Sequence, residues 1–267
     1  MKQLTAIIII LSISICCSAQ HDHHVYSWDK KKDGIAISAG MMGWGLGQIL
    51  KRNADKITLA DIPLRDPDNL WFIDVGATRN YSSSADMWSD VILYTSFALP
   101  FSHYTGKLCR DQGHVIAGMA LETFLITDGI TNITKALTKR FRPFTYNLDV
   151  PLEDKLSNGA RYSFPSGHAS NTAALGWFTA KVYSDLFPDS KWKPVIWTLG
   201  IGLPAATSYL RYRAGKHFPT DVITGYALGA TVGYLVPHFH KIKNDKVDIN
   251  LWPSANGMML MLRLNLN

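Results

Sequence analysis

Long apolar stretches alternate with polar segments along the chain, and six of them have the length of a helix. Regular alternation of single apolar and polar residues, the pattern of a half-buried strand, is nearly absent before the C-terminal end. The six stretches cover residues 35–50, 91–101, 115–137, 169–187, 195–210 and 222–236. The pattern therefore predicts an all-α fold, a bundle of about six helices.

Residues with strong preferences at helix ends mark several boundaries. Ser89 and Asp90 are candidate caps for the second helix, and Pro143 stops any extension of the third. Pro194 and Pro219 suit the first turns of the last two helices, where a missing N–H costs nothing.

Two long loops, residues 51–87 and 144–164, interrupt the predicted bundle. Loops of this size in a compact domain are usually either functional or disordered. Four aromatic side chains favour packing over disorder in and just after the first loop: Trp71, Phe72, Tyr81 and Trp88.

The C-terminal residues differ in pattern from the rest of the chain. Leucines alternate with other residues from Leu260 to Leu266, after the turn signal Asn256-Gly257. This alternation predicts a short C-terminal β-hairpin that packs on the bundle.

The N-terminal residues have the layout of a secretory signal peptide, with an early lysine, an unbroken apolar run and small residues before Gln20. The alternative is an uncleaved anchor, but the run is shorter than the ~20 apolar residues of a membrane span. The predicted division is a signal peptide at 1–19, a helical domain at 20–240 and a hairpin tail at 241–267. Cleavage would leave Cys109 as the only cysteine, so no intramolecular disulfide is expected.

Basic residues outnumber acidic ones, which gives a formal net charge of +6 and an isoelectric point near 9.1. This excess favours anionic substrates or anionic lipid surfaces as partners. No basic stripe with interleaved aromatic residues supports a nucleic-acid partner. A histidine-rich segment, residues 21–24, is a candidate metal site, although such terminal clusters are usually solvated, and no other metal-ligand cluster is predicted.

The end of the third predicted helix carries two cations that could face one site. Lys135 and Arg142 are about two helical turns apart, and Pro143 biases Arg142 out of the helix. The alternative is a solvated basic helix end that complements the helix dipole, which is the interpretation favoured for Lys139 and Arg140.

The fourth predicted helix starts directly after Pro165-Ser166-Gly167-His168. Serine is a preferred N-cap, and free N–H groups at a helix N-terminus bind anions, so the segment could form a phosphate site with a histidine beside it. The alternative is an ordinary capped helix that happens to carry a histidine.

A third group, Arg211, His217 and Asp221, leads into the last predicted helix. An aspartate that accepts from one ring nitrogen of a histidine leaves the other nitrogen free as a nucleophile. The alternative is a His–Asp pair that only closes the helix terminus.

Taken together in this order and spacing, the three groups resemble the signature of the type-2 phosphatidic acid phosphatase superfamily, which includes bacterial acid phosphatases and vanadium haloperoxidases. The resemblance spans residues 135–221 and implies the family's helical bundle. One departure is Leu210, where the family often has serine before the third-motif arginine; it bears on the subfamily more than on the mechanism.

The resemblance implies a role for each matched residue. His217 would attack phosphorus, Asp221 would orient it, and His168 would protonate the leaving oxygen and then activate water. The remaining matched residues would bind the phosphate: Lys135, Arg142, Ser166, Gly167 and Arg211.

The implied activity is that of a metal-independent phosphomonoesterase without a cofactor, acting on a lipid phosphate or diphosphate ahead of a small soluble phosphate ester. Two alternatives stay open, a vanadium haloperoxidase with vanadate on His217 and a non-catalytic phosphate- or lipid-binding bundle. The expected location is exported, periplasmic or membrane-associated, with the active site facing the periplasm. The sequence leaves open whether the helices cross the bilayer.

Overall fold

The computed structural model describes residues 24–61, 66–105, 111–242, 247–254 and 257–264. The predicted signal peptide lies outside these residues, as do Cys109 and the histidine-rich segment up to residue 23. Cleavage before Gln20 therefore stays a prediction.

The described part of the chain is a bundle of α-helices, as predicted, with six long helices and one short one in the second predicted loop. Their bounds are Lys30–Arg52 (α1), Ser83–Ser96 (α2), Gly113–Thr138 (α3), Leu152–Leu156 (α4), Gly167–Leu186 (α5), Lys193–Arg213 (α6) and Pro219–His240 (α7). Short 3-10 turns fill the connections at Leu59–Asp61, Pro67–Asn69, Val75–Arg79, Leu99–Thr105, Pro143–Tyr146 and Asn158–Arg161.

Helix α2 begins earlier than predicted, so the assignment of Ser89 and Asp90 as its caps is wrong. Its N-cap is Ser82, whose hydroxyl accepts from the Ala85 N–H at 3.3 Å. Both predicted cap residues instead lie inside the helix. The prolines behave as expected, since Pro194 lies in the first turn of α6 and Pro219 begins α7.

The aromatic residues of the first loop do not pack as predicted. Trp71 and Phe72 contact each other edge to face but are 58% and 76% exposed. The segment is held by polar contacts instead, because the Asn80 side-chain amide donates to the Tyr212 carbonyl at 3.1 Å and the buried Asp74 accepts from the first turn of α7.

Helix α5 runs through the core of the bundle, between α3, α6 and α7. The packing against α7 is backbone to backbone, because a Cβ on Gly225 would come within 2.5 Å of the Ser166 carbonyl, and one on Gly229 would overlap the Ser170 carbonyl. This close approach brings the start of α7 next to the start of α5, where the Ser166 N–H donates to the Asp221 carbonyl at 3.0 Å.

The outer side of α1 is apolar and exposed. Its large exposed side chains are Ile35, Met41, Met42, Trp44, Leu46, Ile49 and Leu50. Within the described ranges, none of the helices combines the length and the hydropathy needed to cross a bilayer.

At the C-terminal end, Val247–Ser254 (β1) and Gly257–Leu264 (β2) pair as antiparallel strands, with Val247 opposite Leu264. The expected packing of this tail on the bundle stays a prediction.

The far end of the bundle contains a second group of polar side chains. Asp33 of α1, Glu122 of α3 and His240 of α7 are all buried and bring three ligand-type atoms within 4.8 Å of one another. Sequence motifs did not indicate this group, because these residues come from three helices and share no sequence motif.

Candidate active site

The three groups singled out in the sequence meet at one end of the bundle. They lie at the C-terminal end of α3, the N-terminal end of α5 and the connection from α6 to α7. A Cβ on Gly167 would be 3.7 Å from Cε of Lys135, and the charges of Lys135, Arg142 and Arg211 all act on His217. The predicted constellation is thus brought together in space.

His217 is almost fully buried, with 1% of its side chain exposed. Its Nδ1 lies 2.7 Å from the backbone carbonyl of Ser163. A carbonyl can only accept, so Nδ1 carries the proton and Nε2 carries the lone pair. Burial, and then the charges of Lys135 and Arg142, hold the pKa of His217 well below its ordinary value. The ring is a neutral imidazole with a nucleophilic Nε2.

The predicted hydrogen bond from His217 to Asp221 is not formed. The distance from Nδ1 to the nearer carboxylate oxygen is 3.8 Å, too long for a hydrogen bond. That oxygen accepts instead from the Ser163 hydroxyl at 2.5 Å and from the Phe218 N–H at 2.8 Å. Asp221 therefore acts on His217 through Ser163, whose carbonyl holds the ring.

The prediction that Arg140 belongs to a solvated helix end is also wrong. Its guanidinium donates to Asp221 at 2.6 Å and to the buried Asp74 at 2.7 Å. Asp74 also accepts from the backbone and hydroxyl of Thr220. Burial raises the pKa of Asp221, although Arg140 and the Ser163 hydroxyl oppose this. Arg140 thus ties the first loop to the start of α7.

His168 has a carboxylate partner that the sequence did not indicate. Its Nε2 lies 2.6 Å from Oδ1 of Asp90, on α2 and 78 residues away. Burial, and then the charge of Arg211, lower the pKa of His168 to about 4, although Asp90 opposes them. About a quarter of the side chain is exposed, so this histidine is in contact with solvent.

Lys135 and Arg142 are close enough for their charges to act on His217. The Lys135 ammonium donates to the Tyr162 carbonyl at 2.8 Å. Burial, and next the charge of Arg142, lower the pKa of Lys135 well below its ordinary value. Burial and Arg211 lower that of Arg142 to about 10. The buried Nε of Arg142 has no hydrogen-bond partner among the described residues, which leaves a donor for an anion.

Arg211 is buried and faces helix α2. It donates to Asp86 at 2.5 Å and to the Ser89 hydroxyl at 3.1 Å, and Lys216 lies 3.2 Å from the same carboxylate. Burial would raise the pKa of Asp86, but Arg211 and Lys216 hold it below its ordinary value. The buried Nε atom of Arg211 has no hydrogen-bond partner within the described ranges. Acidic groups of α2 thus balance part of the positive charge.

Ser166 caps α5 as predicted. Its hydroxyl accepts from the Ala169 N–H at 3.4 Å, and the residue is fully buried. A side chain on Gly167 would make only ordinary contacts with Lys135 and Thr131. The protein itself therefore does not require glycine here, and the roles of both residues in phosphate binding stay predictions.

Sequence reasoning missed five residues that hold this site together: Asp74, Asp86, Asp90, Arg140 and Ser163. Asp86 and Asp90 carried a usable signal, because residues four apart share a helix face and Ser82 is a suitable N-cap. Nothing comparable marks Asp74 or Ser163, whose roles depend on the tertiary fold.

Comparison with known proteins agrees with the three-part signature. The sequence model of the PAP2 superfamily matches residues 114–245. Lipid A 4'-phosphatase of Porphyromonas gingivalis is 32% identical over 152 residues, which are 56% of this chain and 60% of that protein. Undecaprenyl-diphosphatase of Sulfolobus acidocaldarius is 34% identical over 114 residues, 42% of this chain and 50% of that protein. The chain thus spans half to three fifths of these two relatives.

Phosphatidylglycerophosphatase B of Bacillus subtilis is 33% identical over 155 residues, which are 56% of this chain and 71% of that protein. A solved structure, that of a transmembrane PAP2 type phosphatidylglycerolphosphate phosphatase from Bacillus subtilis, covers 91% of this chain and 98% of its own. It has 21% sequence identity and a TM-score of 0.42.

Proposed function

Because this chain belongs to the PAP2 superfamily, we propose that it is a phosphatase that removes phosphate from a lipid through a phosphohistidine on His217. The observation that carries the proposal is the state of this residue. It is a buried, neutral imidazole with its Nδ1 proton held by a backbone carbonyl and three cations around it. Such a ring presents an unprotonated Nε2 to an anionic phosphorus centre.

In the first step, Nε2 of His217 attacks phosphorus, an N–P bond forms and the bond from phosphorus to the lipid oxygen breaks. His168 gives its proton to that leaving oxygen. The cations of Arg142 and Arg211 depress the pKa of His168 in the free enzyme. A bound phosphate dianion compensates these charges, so the pKa rises and Asp90 stabilises the imidazolium.

In the second step, neutral His168 takes a proton from water, and the resulting hydroxide oxygen attacks the phosphorus of the phosphohistidine. The N–P bond breaks, inorganic phosphate leaves, and the lone pair returns to Nε2 of His217. Lys135, Arg142 and Arg211 stabilise the negative charge in both transition states. Charge stabilisation thus comes from the chain's own side chains, and the mechanism uses no cofactor.

We favour a lipid phosphate or diphosphate over a small soluble ester as substrate. The relatives named above act, by their names, on lipid A, undecaprenyl diphosphate and phosphatidylglycerophosphate. The exposed apolar side of α1 and the exposed pair Trp71 and Phe72 would suit contact with a lipid surface. With the export signal expected at residues 1–19, the active site would face the periplasm.

Phosphate release from purified protein tests this proposal. The substrates are lipid A, undecaprenyl diphosphate and phosphatidylglycerophosphate in detergent micelles, with glucose 6-phosphate as the soluble comparison. We expect release from at least one lipid to exceed release from the soluble ester, with no effect of a chelator. Halide oxidation that requires added vanadate would support the haloperoxidase alternative, and no turnover of any ester would support a binding protein.

Cell fractionation tests the proposed location. We expect the protein in the membrane fraction, released by detergent, with a mature N-terminus at Gln20. Complete recovery in the soluble periplasmic fraction without detergent would contradict the membrane contact, and an intact Met1 would contradict the cleaved signal.

A further inference from the structure

The buried group Asp33, Glu122 and His240 lies far from the phosphate site. His217 precedes the start of α7, whereas His240 is its last residue, and a 22-residue helix is about 33 Å long. The group joins the beginning of α1 to the middle of α3 and the end of α7. The proposed phosphatase chemistry makes no use of it.

Two of these side chains have polar atoms that no hydrogen bond satisfies. Nε2 of His240 and Oε2 of Glu122 are buried and have no hydrogen-bond partner among the described residues. His240 is 8% exposed and Glu122 is 6% exposed. Buried polar atoms are nearly always satisfied, and two carboxylates buried beside one imidazole carry excess negative charge. Both facts indicate that a cation belongs between them.

The lone pair of the histidine is aimed at this position. Nδ1 of His240 lies 2.8 Å from the Val236 carbonyl, so Nδ1 carries the proton and Nε2 is free to bind a metal. Asp33 is also oriented, because its Oδ2 accepts from the Asp29 N–H at 2.7 Å while Oδ1 faces the histidine. Metal-binding histidines and carboxylates usually have such outer partners.

The two distances from the imidazole to the carboxylate oxygens fit a small divalent ion. Nε2 of His240 lies 3.2 Å from Oδ1 of Asp33 and 3.4 Å from Oε2 of Glu122. Ligands at about 2.0–2.1 Å from Zn²⁺ in a tetrahedron lie about 3.3–3.4 Å from one another. An imidazole in the set favours Zn²⁺ or a similar transition metal over Mg²⁺ or Ca²⁺.

We propose that Asp33, Glu122 and His240 form a structural site for Zn²⁺ or a similar transition-metal ion that fastens α1 to the bundle. The surroundings suit this role. Trp28 packs on Gly118 and lies 6.0 Å from the His240 ring, and Tyr26 pairs with Lys241 as an isolated bridge. The ion would thus fix the N-terminal segment and the end of α7 together, away from the reacting atoms.

Metal titration tests the site, with the N-terminal histidines removed as competing ligands. The protein carrying His21→Ala, His23→Ala and His24→Ala is stripped with a chelator and titrated with Co²⁺. We expect one Co²⁺ per chain, with the visible absorption of a tetrahedral N/O site, displaced by one Zn²⁺. Zn²⁺ should also raise the thermal unfolding midpoint, since a ligand of the native state stabilises it.

Single substitutions in the same background assign the ligands. His240→Gln and Glu122→Gln should each weaken Zn²⁺ binding at least ~100-fold, since even changes to outer partners cost about 10–100-fold. His238→Gln is the matched control, because His238 lies on the same helix and is exposed. It should bind Zn²⁺ as tightly as the parent, the variant that lacks the three N-terminal histidines. The proposal is overturned if the parent binds neither ion, or if both ligand variants bind Zn²⁺ as tightly as the parent. The first result would mean that His240 is a protonated partner of two carboxylates.

Discussion

The two histidines of the candidate site differ in what holds them. His217 is almost fully buried and bonded to a backbone carbonyl, whereas His168 is partly exposed and bonded to the Asp90 carboxylate, which is itself 46% exposed. A backbone carbonyl fixes a tautomer but carries no full charge, so it does not favour the imidazolium as a carboxylate does. We therefore expect His217 to stay neutral, whereas His168 can gain and lose a proton.

The surroundings reinforce this difference. Around His217, a series of side-chain hydrogen bonds runs from Asp74 through Arg140 and Asp221 to Ser163. Around His168, the hydrogen-bond partner is Asp90 of α2, which is itself partly exposed. A nucleophile needs a fixed position and a proton donor needs an adjustable pKa, so the two environments suit the two proposed roles.

Removing the proposed nucleophile should have the largest effect. His217→Ala should abolish turnover, with a loss on the order of 10⁵–10⁶-fold, the size seen when a covalent nucleophile is deleted. Acid-quench trapping of labelled phosphoenzyme measures the intermediate, and none should form. His238→Ala, on the exposed side of α7, should retain full activity. A phosphoenzyme that persists in His217→Ala would contradict the assignment.

Removing the proposed proton donor should have a smaller and substrate-dependent effect. His168→Ala should lower kcat about 10²–10⁴-fold for an alkyl phosphate, since general acid catalysis contributes about that much. The loss should be smaller for 4-nitrophenyl phosphate, whose leaving group needs no proton. The ratio of the two rate constants is the measurement, and equal losses for both substrates would argue against a proton-donating role.

Much of this site could be predicted from the sequence because its residues occur in local motifs. Ser166 follows cap chemistry, Pro219 follows helix-start chemistry, and the cations lie at helix ends. The partners could not be predicted in the same way. Asp90 meets His168 only because α2 packs across the ends of α5 and α6, and that docking depends on tertiary packing.

The prediction for Asp221 shows where local reasoning fails. Its spacing from His217 suggested direct contact, but the N-terminal turn of α7 directs the carboxylate to the Phe218 N–H and to Ser163. Arg140 was assigned to solvent because the local sequence is basic, while its two carboxylate partners lie 66 and 81 residues away.

Weakening the support of His217 should produce an intermediate effect. In Asp221→Asn, the amide oxygen can still accept from the Ser163 hydroxyl and the Phe218 N–H. The amide NH₂ replaces the oxygen that accepts from Arg140, so this bond is lost and the segment that carries the Ser163 carbonyl shifts. We expect kcat to fall on the order of 10–10²-fold, as for other small misplacements, with KM little changed. The exposed Asp189→Asn is the control. A fall in stability with unchanged kcat would mean that Asp221 has only a structural role.

The smallest effect should come from the partner of His168. Asp90 raises the pKa of His168 against burial and Arg211, which lower it. In Asp90→Asn this support is lost, the pKa falls further, and less imidazolium is present at any given pH. The basic limb of the pH profile of kcat/KM should therefore move to lower pH, with a rate loss below about tenfold near the optimum. In Ser163→Ala, which alters only the support of His217, that limb should stay in place. A shift to higher pH in Asp90→Asn would mean that the carboxylate does not stabilise the charged ring.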